Sequence, residues 1–271
     1  MTDYYRELDH SVWDHERDGW RSLLVQSLRF EVVIRGLEIG AEESVIDLGC
    51  GGGGLLRHLG QQRRGTYLGV DLRQRAIERS RSLSRGTFRC LDIWSEEVDE
   101  AGPFDIAVAI GTLVDGKSSV EKGGRLAELQ RLISRLEKLG QRGWALVVLD
   151  QDRLEEDLLR SLEKSLMGAR REEVESLCQG GQKARWFEDG IFPEEFVIFS
   201  DRSFESGQRR IWSQEEAFAA VLKRHEPTPC EEARFWLALQ RPGQARRVLE
   251  GAGGDEEVQL LRAKCDLLAQ K

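Results

Sequence analysis

VIDLGCGGGGL, residues 45–55, sets three apolar residues (Val45, Ile46 and Leu48) ahead of four consecutive glycines, Gly51 to Gly54. The apolar run reads as a buried strand, and the segment from Leu55 to Leu59 reads as the first turns of a helix. Glycine belongs where backbone turns sharply or approaches a ligand with no Cβ in the way. A glycine loop between a strand and a helix is the nucleotide-binding corner of a doubly wound α/β sheet.

Further strands follow outward from this corner. Thr66 to Val70 (TYLGV) is a short apolar strand that ends at Asp71. A carboxylate at the end of the second strand can accept two hydrogen bonds from a ribose diol. Thr87 to Cys90 leads into Leu91, Asp92, Ile93 and Trp94, and FDIAVAI, Phe104 to Ile110, follows Pro103 and runs into Gly111 and Thr112. The glycine spacing fits two cofactor classes. Gly49, Gly51 and Gly54 satisfy GxGxxG, the dinucleotide fingerprint. Asp47 with Gly49, Gly51 and Gly53 satisfies DxGxGxG, which resembles motif I of class I S-adenosylmethionine (SAM) methyltransferases. Asp47 favours the second, because a carboxylate suits a positively charged aminoacyl group and repels a pyrophosphate.

The ordered series DLGCGGGG, GVD, CLDI and FDIAVAIG resembles the class I methyltransferase family over roughly the first two hundred residues. The resemblance implies a doubly wound, mostly parallel seven-stranded sheet closed by a terminal antiparallel hairpin, with SAM as cofactor. It places cofactor contacts at Asp47, Gly49, Cys50, Gly51 and Gly53 of the loop, and at Asp71 and Leu72 after the second strand. It adds Asp92 and Ile93 at the third strand end, against the adenine amine and ring, and Ile110 and Gly111 at the fourth. Ahead of motif I, GWRSLLVQSLRF looks like GWxSxxxQxxRF, a pattern in a group of bacterial methyltransferases of unassigned substrate. Trp20, Leu23, Ser27, Phe30, Ile34 and Leu37 fall at helical spacing and form one mainly apolar stripe, with Ser22, Gln26 and Arg29 on a neighbouring one. Arg29 is expected to meet either the cofactor carboxylate or an acidic residue at the strand ends.

Arg125 to Leu139 reads as a helix with Leu126, Leu129, Ile133, Leu136 and Leu139 on one side, and WALVVL, Trp144 to Leu149, as a buried fifth strand. A charged helix is expected from about Arg153 to Leu166. Lys183 to Glu188 and Glu195 to Ser200 read as the closing hairpin, where a dehydrogenase would more often add another βαβ unit. On the resemblance, residues 1–207 are expected to form the methyltransferase domain with an N-terminal helical cover. Residues 208–271 form a small helical appendage: Ser213 to Arg224 with Ser213 as N-cap, then Glu231 to Gln240, Gly243 to Leu249 and Asp255 to Gln270. These pieces suggest tetratricopeptide-like hairpins. They make about one and a half units where roughly three are needed to stand alone, so they either pack on the domain or dock a protein partner.

Composition narrows the function. The chain has 271 residues, a formal net charge of −8 and a pI near 5.3. No basic field is present to draw nucleic acid, and Arg170 and Arg171 are followed at once by Glu172 and Glu173. The five cysteines hold no CxxC pair, and the four histidines match neither HxxxH nor HExxH, so no metal site is expected. The scattered cysteines, with no membrane-length apolar run and no signal-peptide core, suggest a cytoplasmic protein.

Methyl transfer from a sulfonium needs placement first and a general base only for some acceptors. No catalytic residue is therefore dictated, and His10, His15 and Asp115 are candidates by position, with Thr112 beside them. Tyr4, Tyr5 and Trp13 in the segment 1–18 are expected to cover the pocket and exclude water. The run GTLVDGK after the fourth strand has no NPPY-like motif, which argues against nucleobase or glutamine N-methylation. Three functions follow: methylation of a small-molecule acceptor, which is favoured; methylation of a protein docked by the tail; and a nicotinamide-dependent oxidation, kept by the GxGxxG overlap alone.

Overall fold

The computed structural model describes residues 22–60, 63–112, 124–153, 168–177, 185–189, 195–202 and 213–269. The cover segment with Tyr4, Tyr5, His10, Trp13 and His15, the residue Asp115 and, beyond Arg153 itself, the expected helix from Arg153 to Leu166 lie outside these residues.

The described chain opens with helix α1 (Leu23–Gly36), started by Ser22, whose side chain accepts from the Val25 N–H. Then come β1 (Val45–Leu48), α2 (Gly54–Leu59), β2 (Tyr67–Asp71), α3 (Gln74–Leu83), β3 (Thr87–Cys90), α4 (Glu96–Glu100) and β4 (Phe104–Ala109). After these come α5 (Arg125–Leu139), β5 (Gly140–Asp150), β6 (Gly168–Ala169), α6 (Arg171–Leu177), β7 (Arg185–Asp189) and β8 (Glu195–Asp201). Four helices close the chain: α7 (Gln214–His225), α8 (Pro229–Ala238), α9 (Pro242–Glu250) and α10 (Glu256–Leu268).

The strands form one sheet in the order β3-β2-β1-β4-β5-β8-β7. The pairs from β3 to β5 are parallel, and β8 runs antiparallel to both β5 and β7. The closing antiparallel pair expected from the two late apolar runs is present. The expected count of seven strands gains an eighth: β6, two residues long, pairs with the end of β5 off the main path. No sequence period can reveal so short a strand.

Side chains alternate across each strand, so one sheet feeds two cores. Ile46, Leu48, Val70, Ala107 and Leu146 pack with α4, α5 and α6, through Val98, Leu132, Leu136 and Val174. On the other face Val45, Tyr67, Ile106, Val108 and Phe199 pack with α1, α2 and α3, through Val33, Leu37, Leu55 and Ile77. At Gly36 a Cβ would stand 2.3 Å from the Phe199 ring, so α1 lies as close to β8 as a glycine allows.

The tail does not stand apart. Leu24, Val25 and Leu28 of α1 share a third core with Phe218, Val221, Phe235, Trp236, Leu249 and Leu261 of α7 to α10. Helix α1 is therefore covered on two sides, which explains why Leu24 to Leu28 are buried as an unbroken run. A helix flanked by sheet and helices needs no wet face. Of the two expectations for the tail, packing on the domain is realised.

Candidate cofactor site

The loop after β1 is shaped by three glycines in the left-handed region: Gly49 at φ 81°, Gly51 at φ 53° and Gly53 at φ 76°. A Cβ on Gly49 would lie 2.5 Å from the Thr112 hydroxyl oxygen, and one on Gly53 would lie 3.0 Å from the Phe88 ring. These positions need glycine for conformation and for space together. The loop is tied to its neighbours. The Gly49 and Cys50 N–H groups donate to the Val70 carbonyl at 2.7 and 3.0 Å, and Gly53 N–H donates to the Cys50 carbonyl at 3.0 Å. The Gly51 carbonyl accepts from the Ser80 hydroxyl at 3.0 Å and from the Cys50 thiol at 3.6 Å.

Asp71 ends β2 beside this loop and is 6% exposed. Its Oδ2 accepts from the Gly51 N–H at 2.9 Å, and its Oδ1 accepts from the Arg73 backbone N–H at 2.9 Å and from Arg73 Nε at 3.1 Å. Asp71 therefore fixes the loop while standing at the carboxyl edge of the sheet. Oδ2 also accepts from Arg73 Nη2 at 3.3 Å, so two donors meet each oxygen and a diol arriving here would take the place of the Arg73 guanidinium. The next residue, Leu72, is 48% exposed, an apolar surface at the same edge.

Asp92 lies in the turn after β3 and is exposed. Its Oδ1 accepts from the Trp94 N–H at 2.9 Å, and Oδ2 has no partner among the described residues. Ile93 packs against the core behind it. The turn is clamped from α5. Arg135 donates to the Ser95 carbonyl at 2.9 Å, to the Ile93 carbonyl, and to Asp99 at 3.1 Å, while Arg131 stacks its guanidinium 4.3 Å from the Trp94 ring centre. At the end of β4, Ile110 is buried and Gly111 turns the chain at φ 68°. Thr112 follows, its hydroxyl donating to the Leu48 carbonyl, so it ties β4 to β1 rather than standing ready as a base.

Asp47 is 3% exposed, on the α1 face of β1, and accepts from the Tyr67 hydroxyl at 2.6 Å. Burial and this carboxylate push the Tyr67 phenol well above its usual range, so the phenol stays a donor. Asp47 thus puts a buried negative charge beneath the loop. Arg29 has the second of its two expected partners. Its Nε donates to both carboxylate oxygens of Glu195, at 2.9 and 2.8 Å, and Glu195 is registered against Leu149 near the carboxyl end of β5.

The structure therefore brings together the loop residues with Asp71, Leu72, Asp92, Ile93, Ile110 and Gly111 along one edge of the sheet. Sequence reading missed Ser80 and Arg135. Ser80 had a signal: it falls with Ala76 and Ile77 on the only inward stripe of an otherwise charged helix. Arg135 had none, because its partners are backbone carbonyls of a distant turn. Among the described residues no group of three or more His, Cys, Asp or Glu side chains is placed to hold a metal ion, and no helix is long and apolar enough to cross a membrane.

Residues 46–118, from β1 past the end of β4, match the family model described as a methyltransferase domain. Two solved structures are similar in fold. The magnesium protoporphyrin IX methyltransferase of Synechocystis PCC 6803 with bound SAH superposes with a TM-score of 0.51 at 18% identity, over 74% of this chain and 94% of that one. The plantazolicin methyltransferase BpumL in complex with SAH superposes with a TM-score of 0.53 at 15% identity, over 74% of this chain and 93% of that one. No curated protein matches this chain by sequence. The methyltransferase match covers the glycine loop and the three strand ends that follow it, and the chain is on that ground an enzyme with a SAM-dependent methyltransferase domain.

Proposed function

We propose that this protein transfers the methyl group of SAM to a small-molecule acceptor, with the cofactor laid across the glycine loop. Bound SAM supplies an electrophilic methyl on a sulfonium; the protein's part is to hold donor and acceptor in line and to exclude water. In this reading Gly49, Cys50, Gly51 and Gly53 bring backbone against the cofactor. Asp71 takes the ribose diol and Leu72 gives the sugar and base an apolar edge. Asp92 Oδ2 accepts from the adenine amine with Ile93 against the ring, while Ile110 and Gly111 line the far wall. Asp47 contributes a negative charge below the aminoacyl group. Arg29, held by Glu195, closes the side nearest β5. The open catalytic candidates are His10, His15 and Asp115, and an amine or phenolate acceptor would need none of them.

The observation that carries the reading is Asp71. One buried carboxylate is bonded to the Gly51 N–H of the loop and ends the strand next to it, so loop and ribose site are one built unit. The antiparallel β8, where a dehydrogenase would carry another βαβ unit, argues against the nicotinamide alternative. A small acceptor is favoured over a protein because the buried apolar faces of the tail helices pack on one another and on α1, which leaves Leu260 and Leu267 of α10 exposed. Similar folds carry names that fit: one neighbour is named for magnesium protoporphyrin IX, and BpumL is described in complex with desmethyl plantazolicin analogues.

The test is methyl transfer from isotopically labelled SAM to a cell extract separated by mass. Label in the low-mass fraction, dependent on the enzyme, is expected. Label confined to protein would replace the small acceptor with a protein one, which the tail could then help to choose.

A further inference from the structure

The carboxylate that ends β2 is met by a side chain of the same strand exit. Arg73, two residues on, lays its guanidinium against Asp71: Nε donates to Oδ1 at 3.1 Å and Nη2 to Oδ2 at 3.3 Å. The backbone supplies the other donors, Gly51 N–H to Oδ2 and Arg73 N–H to Oδ1, each at 2.9 Å. These contacts differ in kind. The backbone bonds follow from the pairing of β1 with β2 and from the turn into α3, so they persist as long as the fold does. The guanidinium bonds are longer and hang on a rotatable side chain.

The guanidinium bonds also have a particular form. A planar fork puts one donor on each carboxylate oxygen. A ribose diol meets a carboxylate in the same way, one hydroxyl to each oxygen. Both arrangements call on the same lone pairs. The Asp71 side chain is 8% exposed and the Arg73 side chain 23%, so the carboxylate is too enclosed to receive both, while the arginine has a side open to water. Arg73 is the N-cap of α3, and its side chain makes no capping bond. Turning the guanidinium outward therefore leaves the start of the helix as it is.

We propose that Arg73 competes with the cofactor ribose for Asp71, and that SAM binds as the guanidinium turns out to water. Gly51 stays bonded to Asp71 throughout, so the loop keeps its shape while the fork is exchanged for the diol. Arg73 thereby tunes affinity and selects for a complete ribose: two hydroxyls replace both bonds that the arginine gives up, and a deoxyribose replaces one at most. The inference rests on the ribose placement given above and adds the group that opposes it.

The experiment is calorimetric titration of the full chain with S-adenosylhomocysteine (SAH) and with its 2′,3′-dideoxy analogue, which has no hydroxyl to offer Asp71. Arg73→Ala should bind SAH about fivefold more tightly than wild type, the scale of a partly exposed ion pair that no longer has to be broken. It should bind the dideoxy analogue as wild type does. Arg73→Gln, which gives up the charge and the fork, should gain likewise, and it carries the test if the alanine variant melts early. SAH affinity that is unchanged or lower in both variants overturns the proposal; a loss would make Arg73 a support of Asp71 and not its competitor. An equal gain for SAH and the dideoxy analogue also overturns it, because the effect would not lie at the diol. Asp71→Ala separates the two readings. It should weaken SAH, and adding Arg73→Ala should then change nothing more; a gain that persists without the carboxylate overturns the competition. If Asp71→Ala alone binds SAH as wild type does, the ribose placement fails first and the competition with it.

Discussion

Asp71 braces the loop and is proposed to take the ribose diol, so its removal should be felt twice. Asp71→Ala is expected to weaken SAH binding by about 1–3 kcal/mol, the scale for hydrogen bonds to a charged acceptor. It should also free the Gly51 N–H that the carboxylate now holds. Calorimetry measures the first effect, and faster amide exchange at Gly51 reports the second. Affinity at the wild-type level would take Asp71 out of the ribose site. Gly49 tests the loop differently. An alanine there would sit at φ 81° and meet Thr112, which is itself bonded to the Leu48 carbonyl. Gly49→Ala should cost about 1–3 kcal/mol of stability, read by urea unfolding, and should also weaken SAH. A variant as stable as wild type, with full affinity, would contradict the loop geometry. The sequence made both residues legible, because glycine and strand-end carboxylates have few other uses. It could not show that Asp71 braces the loop, since Gly51 and Asp71 meet only through the pairing of β1 with β2.

Among the elements, α1 and α2 meet α7 through charge as well as apolar packing. His58 of α2 is buried and bonds Glu31 of α1 at 2.9 Å, with Arg35 on the other Glu31 oxygen at 2.7 Å. From α7, His225 bonds the Ser27 hydroxyl at 2.8 Å, and Arg224 donates to the His58 carbonyl. Burial holds the His58 imidazole below the ordinary 6.5, against the pull of Glu31; burial, with His58 and Arg224 nearby, does the same to His225. Both rings are therefore neutral in the fold, with His58 Nε2–H donating to Glu31. The unfolded chain takes up protons first as pH falls. The stability these rings contribute is complete above about pH 6.5 and is lost as pH drops through the lowered values. Melting temperature should be level in mildly alkaline buffer and fall on acidification below about pH 6.5. The carboxylates Glu31 and Asp105, held low in the fold, add their loss only in the more acidic range. His58→Gln should flatten the first fall; a variant with the wild-type pH profile would place the proton uptake elsewhere. Element positions were largely legible: β1 and β3 fall where the apolar runs put them, and Ser213 caps α7 as expected. Boundaries shifted where capping chemistry overrode periodicity. Thr228 forms a capping box with Glu231 and starts α8 two residues before the apolar face suggests.

For the whole molecule, the tail is the main revision. A tail that only recruits a protein target could be deleted after Gly207 without harm to SAM binding. The shared core of Leu24, Val25 and Leu28 with α7 to α10 changes that expectation. Removing residues 208–271 would expose three aliphatic side chains worth about 1.5–3 kcal/mol each, and would loosen the helix that carries Arg29. The melting temperature should fall by about 10 °C or more, and SAH affinity with it; equal melting and affinity in the shortened chain would make the tail an independent module. The sequence showed amphipathic helices there but not their partner, because a helical stripe reveals that a face is buried and never against what. The same holds for α1, whose second buried face had no cause until the tail was placed on it. Everything above turns on whether this sheet edge binds SAM across the glycine loop. The most direct measurement is a crystal structure of the full chain grown with SAH. The expected result is SAH with its ribose diol on Asp71 and its adenine amine on Asp92 Oδ2. SAH bound elsewhere, or with its ribose turned away from Asp71, would contradict it.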